Sequence, residues 1–287
     1  MAAGVTGTGL RWRPGSGGWP AVPALLLLAL FFLVPVMLVL VRSVMEPEPG
    51  LGNYAELLGS SAYRGILVNT FVVSAVVTAV TLLLGFPLAW LLALLPRGWS
   101  LVVLGIVLIS MWTNLLARSF AWLVLLQQTG VINRGLMALG LIETPLPLIN
   151  NLTGVTIGMS YIMLPYLVMP LLATIQSLDP AVFRASALCG ANRWQVFWRV
   201  FLPSCMPGIA AGCLMVFVMS LGYFITPAIL GGSSSMMVGQ LIAQLIQSLL
   251  NWGLGGAAAV ILIVVTLAIY ALQLRLVDPF KAAGGRH

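Results

Sequence analysis

The sequence predicts an all-α polytopic membrane protein with six transmembrane helices. Of its 287 residues, 61% are hydrophobic and only 7% are charged, and the mean hydropathy is +1.09. Soluble globular proteins contain about 45–50% apolar and about 25% charged residues. Because too few polar side chains are available to cover a water-facing surface, lipid must be the solvent for most of the chain. The second observation is a series of six uncharged apolar stretches. We compare the length of each stretch with the ~20 residues that a helix needs to cross the hydrocarbon.

These stretches place the predicted spans, in chain order, at residues 21–41, 66–95, 101–116, 152–175, 206–230 and 254–274. The first is longer than the ~7–15 residues of a signal-peptide core, so we predict a retained helix. The second is long enough to tilt, and we expect a kink at Gly85 and Pro87. The fourth contains Pro165 and Pro170.

Only polarity separates the fifth span from the sixth, since no charge occurs between Arg199 and Arg275. Residues 231–235 and Asn251 mark the predicted break. Residues 116–126 continue the apolar character of the third span. We predict that they form an interfacial helix on the outer face, with Trp122 at headgroup depth.

The sparse charges orient the predicted helices. Cations concentrate on one side, which the positive-inside rule makes cytoplasmic. That side holds nine of the thirteen cations: Arg11, Arg13, Arg97, Arg184, Arg193, Arg199, Arg275, Lys281 and Arg286. Residues 21–275 are therefore predicted to form one membrane domain between two cytoplasmic tails, residues 1–20 and 276–287. Its longest cytoplasmic loop covers residues 176–203.

Several kinds of chemistry lack the residues they require. The single histidine is the last residue, His287, and the three cysteines form no Cys-x-x-Cys pair, so we expect no metal site. The single lysine, Lys281, excludes a GxxxxGK phosphate loop, so this chain should bind no ATP in that way. Clustered cations for nucleic-acid binding are absent. An intramembrane enzyme would need a motif such as HExxH or GxSxG, and neither occurs.

The loop of residues 176–203 predicts a helix–turn–helix. Asp179 can cap a helix that has Pro180 in its first turn, Gly190 permits a sharp turn, and Asn192 can cap the second helix. Aromatic residues then recur at the spacing of one helix face: Trp194, Phe197, Trp198 and Phe201. From the periodicity alone, this face either docks into a groove of another protein or rests on the bilayer.

The segment 184–203 resembles the EAA loop of the permease subunits of binding-protein-dependent ABC importers. The family pattern is Glu-Ala-Ala, three residues, Gly, nine residues, Ile, one residue, Leu-Pro. Here Arg184 replaces the Glu and Ser186 replaces the second Ala. The resemblance implies the type I importer permease fold and a coupling loop that seats in a cleft of an ATPase subunit. The implied coupling residues are Arg184, Ala185, Ser186, Gly190, Ala191, Trp194, Phe197, Leu202 and Pro203.

Further motifs are similar to the spermidine/putrescine-type subfamily. They include Met111-Trp112-Thr113, Gly130 with Ile132-Asn133, Leu146-Pro147-Leu148, Ile157-Gly158-Met159, Leu164-Pro165-Tyr166, Phe224-Ile225-Thr226-Pro227 and Asn251-Trp252. This resemblance implies a polyamine cargo. Polyamine permeases often carry Asp where this chain has Tyr223, and no predicted span contains an acidic residue. Another small amine, an amino acid or a phosphonate therefore stays open as the cargo.

Polar and aromatic side chains inside the third to fifth spans are candidates for a translocation pathway, although each could equally serve ordinary helix packing. These candidates are Trp112, Asn114, Ser160, Tyr161, Tyr166 and Tyr223. The leading hypothesis is a non-catalytic permease subunit in a bacterial inner membrane. Its implied partners are two ATPase chains that hold ATP and magnesium, a second permease subunit of different sequence, and a periplasmic binding protein. A passive channel or a structural membrane subunit is the alternative from another class.

Overall fold

The computed structural model describes residues 22–232 and 235–284, with side chains described as far as residue 271. The described residues are helical and contain no β-strand, which confirms the predicted all-α class. The first seven helices are α1 (Val22–Leu28), α2 (Val34–Met45), α3 (Gly52–Gly59), α4 (Ser61–Leu94), α5 (Arg97–Trp112), α6 (Leu115–Leu126) and α7 (Val131–Ala138). The other seven are α8 (Leu152–Gln176), α9 (Pro180–Leu188), α10 (Arg193–Val196), α11 (Leu202–Leu221), α12 (Ile225–Leu230), α13 (Val238–Gln247) and α14 (Trp252–Gly284).

Two turns of π-helix make longer continuous helices from these elements. Ala29–Leu33 joins α1 to α2, and Phe197–Phe201 joins α10 to α11. The helices α4 and α8 also continue through their internal prolines, Pro87 in α4 and Pro165 and Pro170 in α8. A membrane helix tolerates such prolines because its neighbours can satisfy the backbone groups that a proline frees.

The predicted count of six membrane-spanning helices is confirmed in the described part of the chain. The six candidate spans, by length and composition, are Val22–Met45, Ser61–Leu94, Leu115–Ala138, Leu152–Gln176, Arg193–Leu221 and Trp252–Ala271, and the third of them consists of α6 and α7 with the turn at residues 127–130 between them. The third differs from the predicted span at 101–116. The helix there, α5, has 16 residues, about 24 Å of length, which is short of the ~30 Å hydrocarbon core.

The helix α6, for which the sequence predicted an interfacial position, packs one face against α8 and α12 and exposes the other. Ser119 in α6 is fully buried, and its hydroxyl lies 3.0 Å from the hydroxyl of Thr226 in α12. Trp122 is half-buried beside α8, with its ring centroid 5.4 Å from that of Tyr161. The interfacial position and the headgroup depth of Trp122 stay predictions.

The predicted fifth span at 206–230 is broken in the structure. The helix α11 ends at Leu221, residues 222–224 are not helical, and α12 begins at Ile225. Here α12 packs against α6 and α8. Gly158 makes room for it, because a Cβ at this position would lie 3.1 Å from Cγ2 of Thr226 and would overlap the Leu230 side chain. Hydropathy cannot show such a break, because both pieces are equally apolar.

The centre of the molecule is the packing of α4, α8 and α11 against one another. Leu167 and Leu171 of α8 are fully buried there, with Val77 of α4 and Val216 of α11. Gly85 of α4 lies directly against Leu167, since a Cβ on Gly85 would come within 2.6 Å of the Leu167 Cδ2 atom. Gly85 thus lies where α4 and α8 approach each other closely, and the kink at Gly85 and Pro87 stays a prediction.

A second cluster joins α2, α3, α13 and α14. The side-chain amide of Asn53 donates to the backbone oxygens of Ser43 and Glu46, at 3.0 and 2.6 Å. Arg42 lies over the ring of Trp252, 5.0 Å from its centroid. The helix α14 extends to Gly284, past the predicted end of the sixth span at residue 274. Residues 1–20 of the predicted N-terminal tail lie outside the described residues, and the cytoplasmic position of both termini stays a prediction.

Candidate functional site

The helix–turn–helix predicted at residues 176–203 is present. At the start of α9, the Asp179 carboxylate accepts a hydrogen bond of 2.8 Å from the backbone N–H of Ala181. After α9 the chain turns at Gly190, whose φ is +78° and whose missing Cβ would meet nothing within 4 Å. Such a φ strains any residue with a Cβ, so glycine is the natural residue for this turn.

The second helix begins with a reciprocal cap. The Asn192 side chain accepts from the backbone N–H of Gln195 at 2.8 Å, and the Gln195 side chain accepts from the backbone N–H of Asn192 at 3.0 Å. This capping box satisfies two N–H groups that a helix start otherwise leaves unpaired. No irregular connection separates α10 from α11, because the π-helical turn joins the two helices. The helix–turn–helix is therefore directly continuous with a membrane span.

The four aromatic side chains predicted to share one face, Trp194, Phe197, Trp198 and Phe201, contact one another. Ring centroids lie 5.6 Å apart for Trp194 and Trp198, 5.4 Å for Phe197 and Trp198, and 5.8 Å for Phe197 and Phe201. Phe197 and Phe201 also pack against Trp90 of α4, with centroid distances of 5.6 and 5.5 Å. Phe201 is only 8% exposed, whereas Trp194 is 70% exposed. The inner half of the face thus anchors the loop to α4, and the role of the exposed half stays a prediction.

Three residues of this anchor were not predicted. Phe86 and Trp90 of α4 and Phe183 of α9 complete the cluster, with Phe86 and Phe183 lying 6.2 and 6.3 Å from Phe201 between ring centroids. One signal was available, because Phe86 and Trp90 are four residues apart and thus lie on the same face of a helix. Their partner loop is about a hundred residues away in the sequence, which local periodicity cannot indicate.

The outward side of the loop is exposed. Arg184 and Ala185 lie on the surface of α9, and Leu188 is 90% exposed at its end. Ser186 is half-buried, and its hydroxyl donates to the backbone oxygen of Phe183 at 2.8 Å. The other candidate residues vary in exposure: Ala191, Phe197 and Leu202 are half-buried, while Gly190, Trp194 and Pro203 are exposed. The loop thus presents small and apolar groups outward from a base held by aromatic packing.

Two of the pathway candidates lie at the ends of helices, and their pathway role stays a prediction. Trp112 is 91% exposed at the end of α5. Asn114 caps α6, since its side-chain oxygen accepts from the backbone N–H groups of Leu116 and Ala117 at 2.8 and 3.3 Å. A cap of this kind is a sufficient structural reason for Asn114.

The other four candidates lie on or beside α8. Tyr161 is 40% exposed and makes an edge contact with Trp122, while Ser160 is buried. Tyr166 and Tyr223 are half-buried near each other, and Arg118 and Thr226 are further neighbours of Tyr223. The structure therefore places Tyr223 near Tyr166 and the cation Arg118, while Tyr161 lies on the same helix as Tyr166 and contacts Trp122.

Two buried polar atoms in this region have no partner within the described residues. They are the hydroxyl oxygen of Ser160 and the Nε atom of Arg118. Buried polar groups in proteins are normally hydrogen-bonded, so such atoms mark places where a group from outside the chain can be accommodated. An arginine inside a membrane helix also calls for a functional explanation.

Comparisons with known proteins agree with this architecture. Residues 85–281 match the family of binding-protein-dependent transport system inner membrane components. The spermidine/putrescine transport system permease protein PotB of Escherichia coli (strain K12) is 32% identical over 246 residues, covering 83% of this chain and 89% of that protein. The putative 2-aminoethylphosphonate transport system permease protein PhnU of Salmonella paratyphi A (strain ATCC 9150 / SARB42) is 27% identical over 206 residues, covering 69% of this chain and 70% of that protein.

Solved structures show the same fold. A bacterial ABC transporter involved in the import of the acidic polysaccharide alginate superimposes with a TM-score of 0.70 at 21% identity, covering 90% of this chain and 95% of that chain. A second structure of a bacterial alginate ABC transporter, in complex with a periplasmic protein that carries an alginate pentasaccharide, gives a TM-score of 0.69 at 23% identity over 89% and 93% of the two chains.

The family match extends from Gly85 in the middle of α4 to Lys281 in α14, and so includes the central α8–α11 packing and the anchored loop. The PotB relative covers 83% of this chain. The six long apolar helices fit a multi-pass location in the inner membrane. This chain therefore belongs to the family of inner membrane components of binding-protein-dependent transport systems.

Proposed function

We propose that this chain is the non-catalytic permease subunit of an ATP-driven importer for a polyamine such as spermidine or putrescine. The observation that carries the proposal is the loop of α9 and α10, which is anchored by Phe197 and Phe201 on Trp90 and continues directly into α11. A loop held in this way transmits a displacement to two central helices at once. The identity to PotB supports the cargo class.

The loop is the coupling element in this proposal. Its exposed residues, among them Ala185, Leu188 and Trp194, seat in a cleft of an ATPase chain on the cytoplasmic side. ATP and magnesium bind to two such ATPase chains, which close when ATP is bound. Closure moves the loop, and the aromatic anchor passes the movement to α4 and α11. The pathway then opens toward the periplasm, and ATP hydrolysis resets it.

The other partners are a second permease subunit of different sequence and a periplasmic binding protein that delivers the cargo. The solved alginate transporter with its bound periplasmic protein supports this general arrangement. An amine cargo would pass Tyr161, Tyr166 and Tyr223, whose aromatic faces attract cations, and the hydroxyl of Ser160 would offer it an oxygen. Carboxylates cannot provide this attraction, because the predicted spans contain no acidic residue.

A second cargo class is favoured by Arg118. Its Nε atom is buried without a partner in the described structure, and Tyr223 is close by. A cation at this position suits a cargo that carries both an amine and an anionic group, such as an aminophosphonate. Competition separates the two classes: 2-aminoethylphosphonate in excess should leave spermidine uptake unchanged if the cargo is a polyamine. Strong inhibition of uptake would favour the second class.

Replacing Gly190 tests the coupling role of the loop. Gly190→Val introduces a β-branched side chain at a φ of +78° on the surface that would meet the ATPase. We expect the assembled transporter to lose stimulation of its ATP hydrolysis by the loaded binding protein, because the turn can no longer take the shape that the cleft accepts. The measurement is the ATPase rate in proteoliposomes with and without the loaded binding protein.

Gly140→Val is the matched control. Gly140 also has a positive φ, +69°, and open space around its missing Cβ, but it follows α7 on the side predicted to face outward. The backbone strain is thus similar, and coupling should be retained. If both variants keep normal stimulation, or both lose it to the same extent, the coupling role of the α9–α10 turn is wrong.

A further inference from the structure

A cavity of about 590 Å³ lies beneath the loop, between the ends of α4 and α8 and the aromatic anchor. Its walls are mainly apolar and include Trp90, Ala93 and Phe197, while Gln176 and Arg193 are its polar members. No acidic side chain lines it among the residues that the structure describes. Pockets of this size, apolar with a few convergent polar groups, are typical ligand sites.

A second cavity, of about 440 Å³, adjoins the first. Ala93 and Gln176 line both cavities, so these two residues form the wall between them. The second cavity is lined by Arg97 and Ser100 at the start of α5, and again by no acidic residue of the described chain. The first cavity is mainly apolar, the second is more polar, and each contains one arginine.

This end of the bundle has the character of a membrane boundary. Three tryptophans that the proposed function does not place in the ATPase cleft are exposed here, and four arginines lie in the same region. The tryptophans are Trp90, Trp99 and Trp198, and the arginines are Arg97, Arg184, Arg193 and Arg199. Tryptophan is enriched at headgroup depth, and arginine at the cytoplasmic surface. The cavities thus open where the headgroups of the inner leaflet would lie.

We infer that these cavities bind an anionic phospholipid of the inner leaflet. An acyl chain fits the apolar walls at Trp90 and Ala93, and the lipid phosphate fits the guanidinium groups of Arg193 and Arg97 at the two rims. Basic pockets between membrane helices on the cytoplasmic side are the sites where anionic headgroups bind. The absence of acidic lining residues favours an anion over a cationic or zwitterionic occupant.

The bound lipid would strengthen the base of the loop. Phe197 and Phe201, which line the first cavity, are the residues that anchor the loop to α4. A chain packed against them excludes water from the anchor and fills a gap that otherwise lets the loop shift relative to α4. This inference rests on the proposed function for the cytoplasmic side of the loop, but lipid binding itself needs neither the ATPase nor a cargo.

Lipid retention by the purified full-length chain tests the inference. The protein is first reconstituted in vesicles, either of phosphatidylcholine alone or of equal parts phosphatidylcholine and phosphatidylglycerol. It is then transferred into detergent, and the lipid molecules that stay bound are counted by native mass spectrometry. Wild type should retain phosphatidylglycerol selectively. Arg193→Gln should reduce this retention about fivefold, the effect of one cation near an anionic lipid surface. Ala93→Phe, which fills the cavity, should reduce it as well.

Arg184→Gln is the matched control for charge. Arg184 lies exposed in the same loop but lines neither cavity. The Arg184→Gln variant should retain as much phosphatidylglycerol as wild type. Arg193→Lys, which keeps the charge, should retain more phosphatidylglycerol than Arg193→Gln. Equal losses in Arg184→Gln and Arg193→Gln, or equal retention of both lipids by wild type, would overturn the inference.

One further outcome would assign the cavity to a protein segment. If Ala93→Phe leaves lipid retention unchanged but abolishes co-purification with the ATPase, the occupant is part of the ATPase and the inference is wrong. Lipid retention is measured on this chain alone. A failure of the proposed coupling role would therefore appear only in the Gly190→Val experiment and would leave the lipid result intact.

Discussion

At the scale of single residues, Asn133 shows how two separate sequence motifs act together. Its side-chain amide donates to the backbone oxygens of Gln127 and Leu146, at 3.1 and 3.0 Å, and its oxygen accepts from the Leu146 N–H at 2.9 Å. Asn133 is fully buried. The Gly130-Ile132-Asn133 motif and the Leu146-Pro147-Leu148 motif are therefore the two ends of one hydrogen-bonded loop.

We predict that Asn133→Ala opens this loop. The substitution removes the partner of the Leu146 N–H, at a cost of about 1–3 kcal/mol if that group stays buried. It also takes one of two donors from the backbone oxygens of Gln127 and Leu146, which keep the N–H groups of Gly130 and Leu148. The free energy of unfolding should fall, and the segment after α7 should become susceptible to limited proteolysis. The measurements are the thermal unfolding midpoint and the protease cleavage pattern in detergent.

Gln128→Ala is the control, because Gln128 is exposed in the same turn. It should unfold and be cleaved like wild type. Unchanged stability and cleavage in Asn133→Ala would show that the three hydrogen bonds do not hold the loop.

At the scale of elements, the important relation is between the α9–α10 loop and α4. The loop forms its own caps, at Asp179 and Asn192, but its position depends on rings that meet between distant parts of the chain. Aromatic pairs contribute about 0.5–1.5 kcal/mol beyond the burial of their area. Trp90 contacts two rings of the loop segment and is therefore the residue whose loss should loosen the loop most.

We predict that Trp90→Ala weakens coupling without preventing insertion of the helices. Stimulation of ATP hydrolysis by the loaded binding protein should fall several-fold, since the loop moves without carrying α4 with it. Trp99→Ala is the control, because Trp99 is an exposed tryptophan at the same end of the bundle. Similar stimulation in the two variants would contradict the anchoring role of Trp90.

At the scale of the whole molecule, the sequence predicted what local patterns determine. Charge and hydropathy predicted the class and the number of long helices, and the residues Asp179, Gly190 and Asn192 predicted the helix–turn–helix. The break at 222–224 was not predicted, because α12 is held by Ser119 and Gly158, which are remote in the sequence. The sequence placed the third span on α5, whereas length and composition in the structure select Leu115–Ala138 instead of the shorter apolar helix Arg97–Trp112.

The candidate site was predictable to a similar extent. The coupling residues followed from the resemblance to the EAA loop, and helical spacing predicted the aromatic face, while its packing on Trp90 of the distant helix α4 has no local signal. Among the pathway candidates, the cap formed by Asn114 becomes visible only when the end of α5 is located. The proximity of Arg118 to Tyr223 also joins distant parts of the chain, which local patterns do not indicate.

The central claim is that this chain moves a polyamine only together with an ATPase. The most direct measurement is uptake of radiolabelled spermidine into proteoliposomes that contain the chain, its second permease subunit, the loaded binding protein and the ATPase. We predict uptake that requires ATP and disappears when the ATPase is omitted. Equal uptake without ATP or without the ATPase would indicate a passive channel and contradict the account.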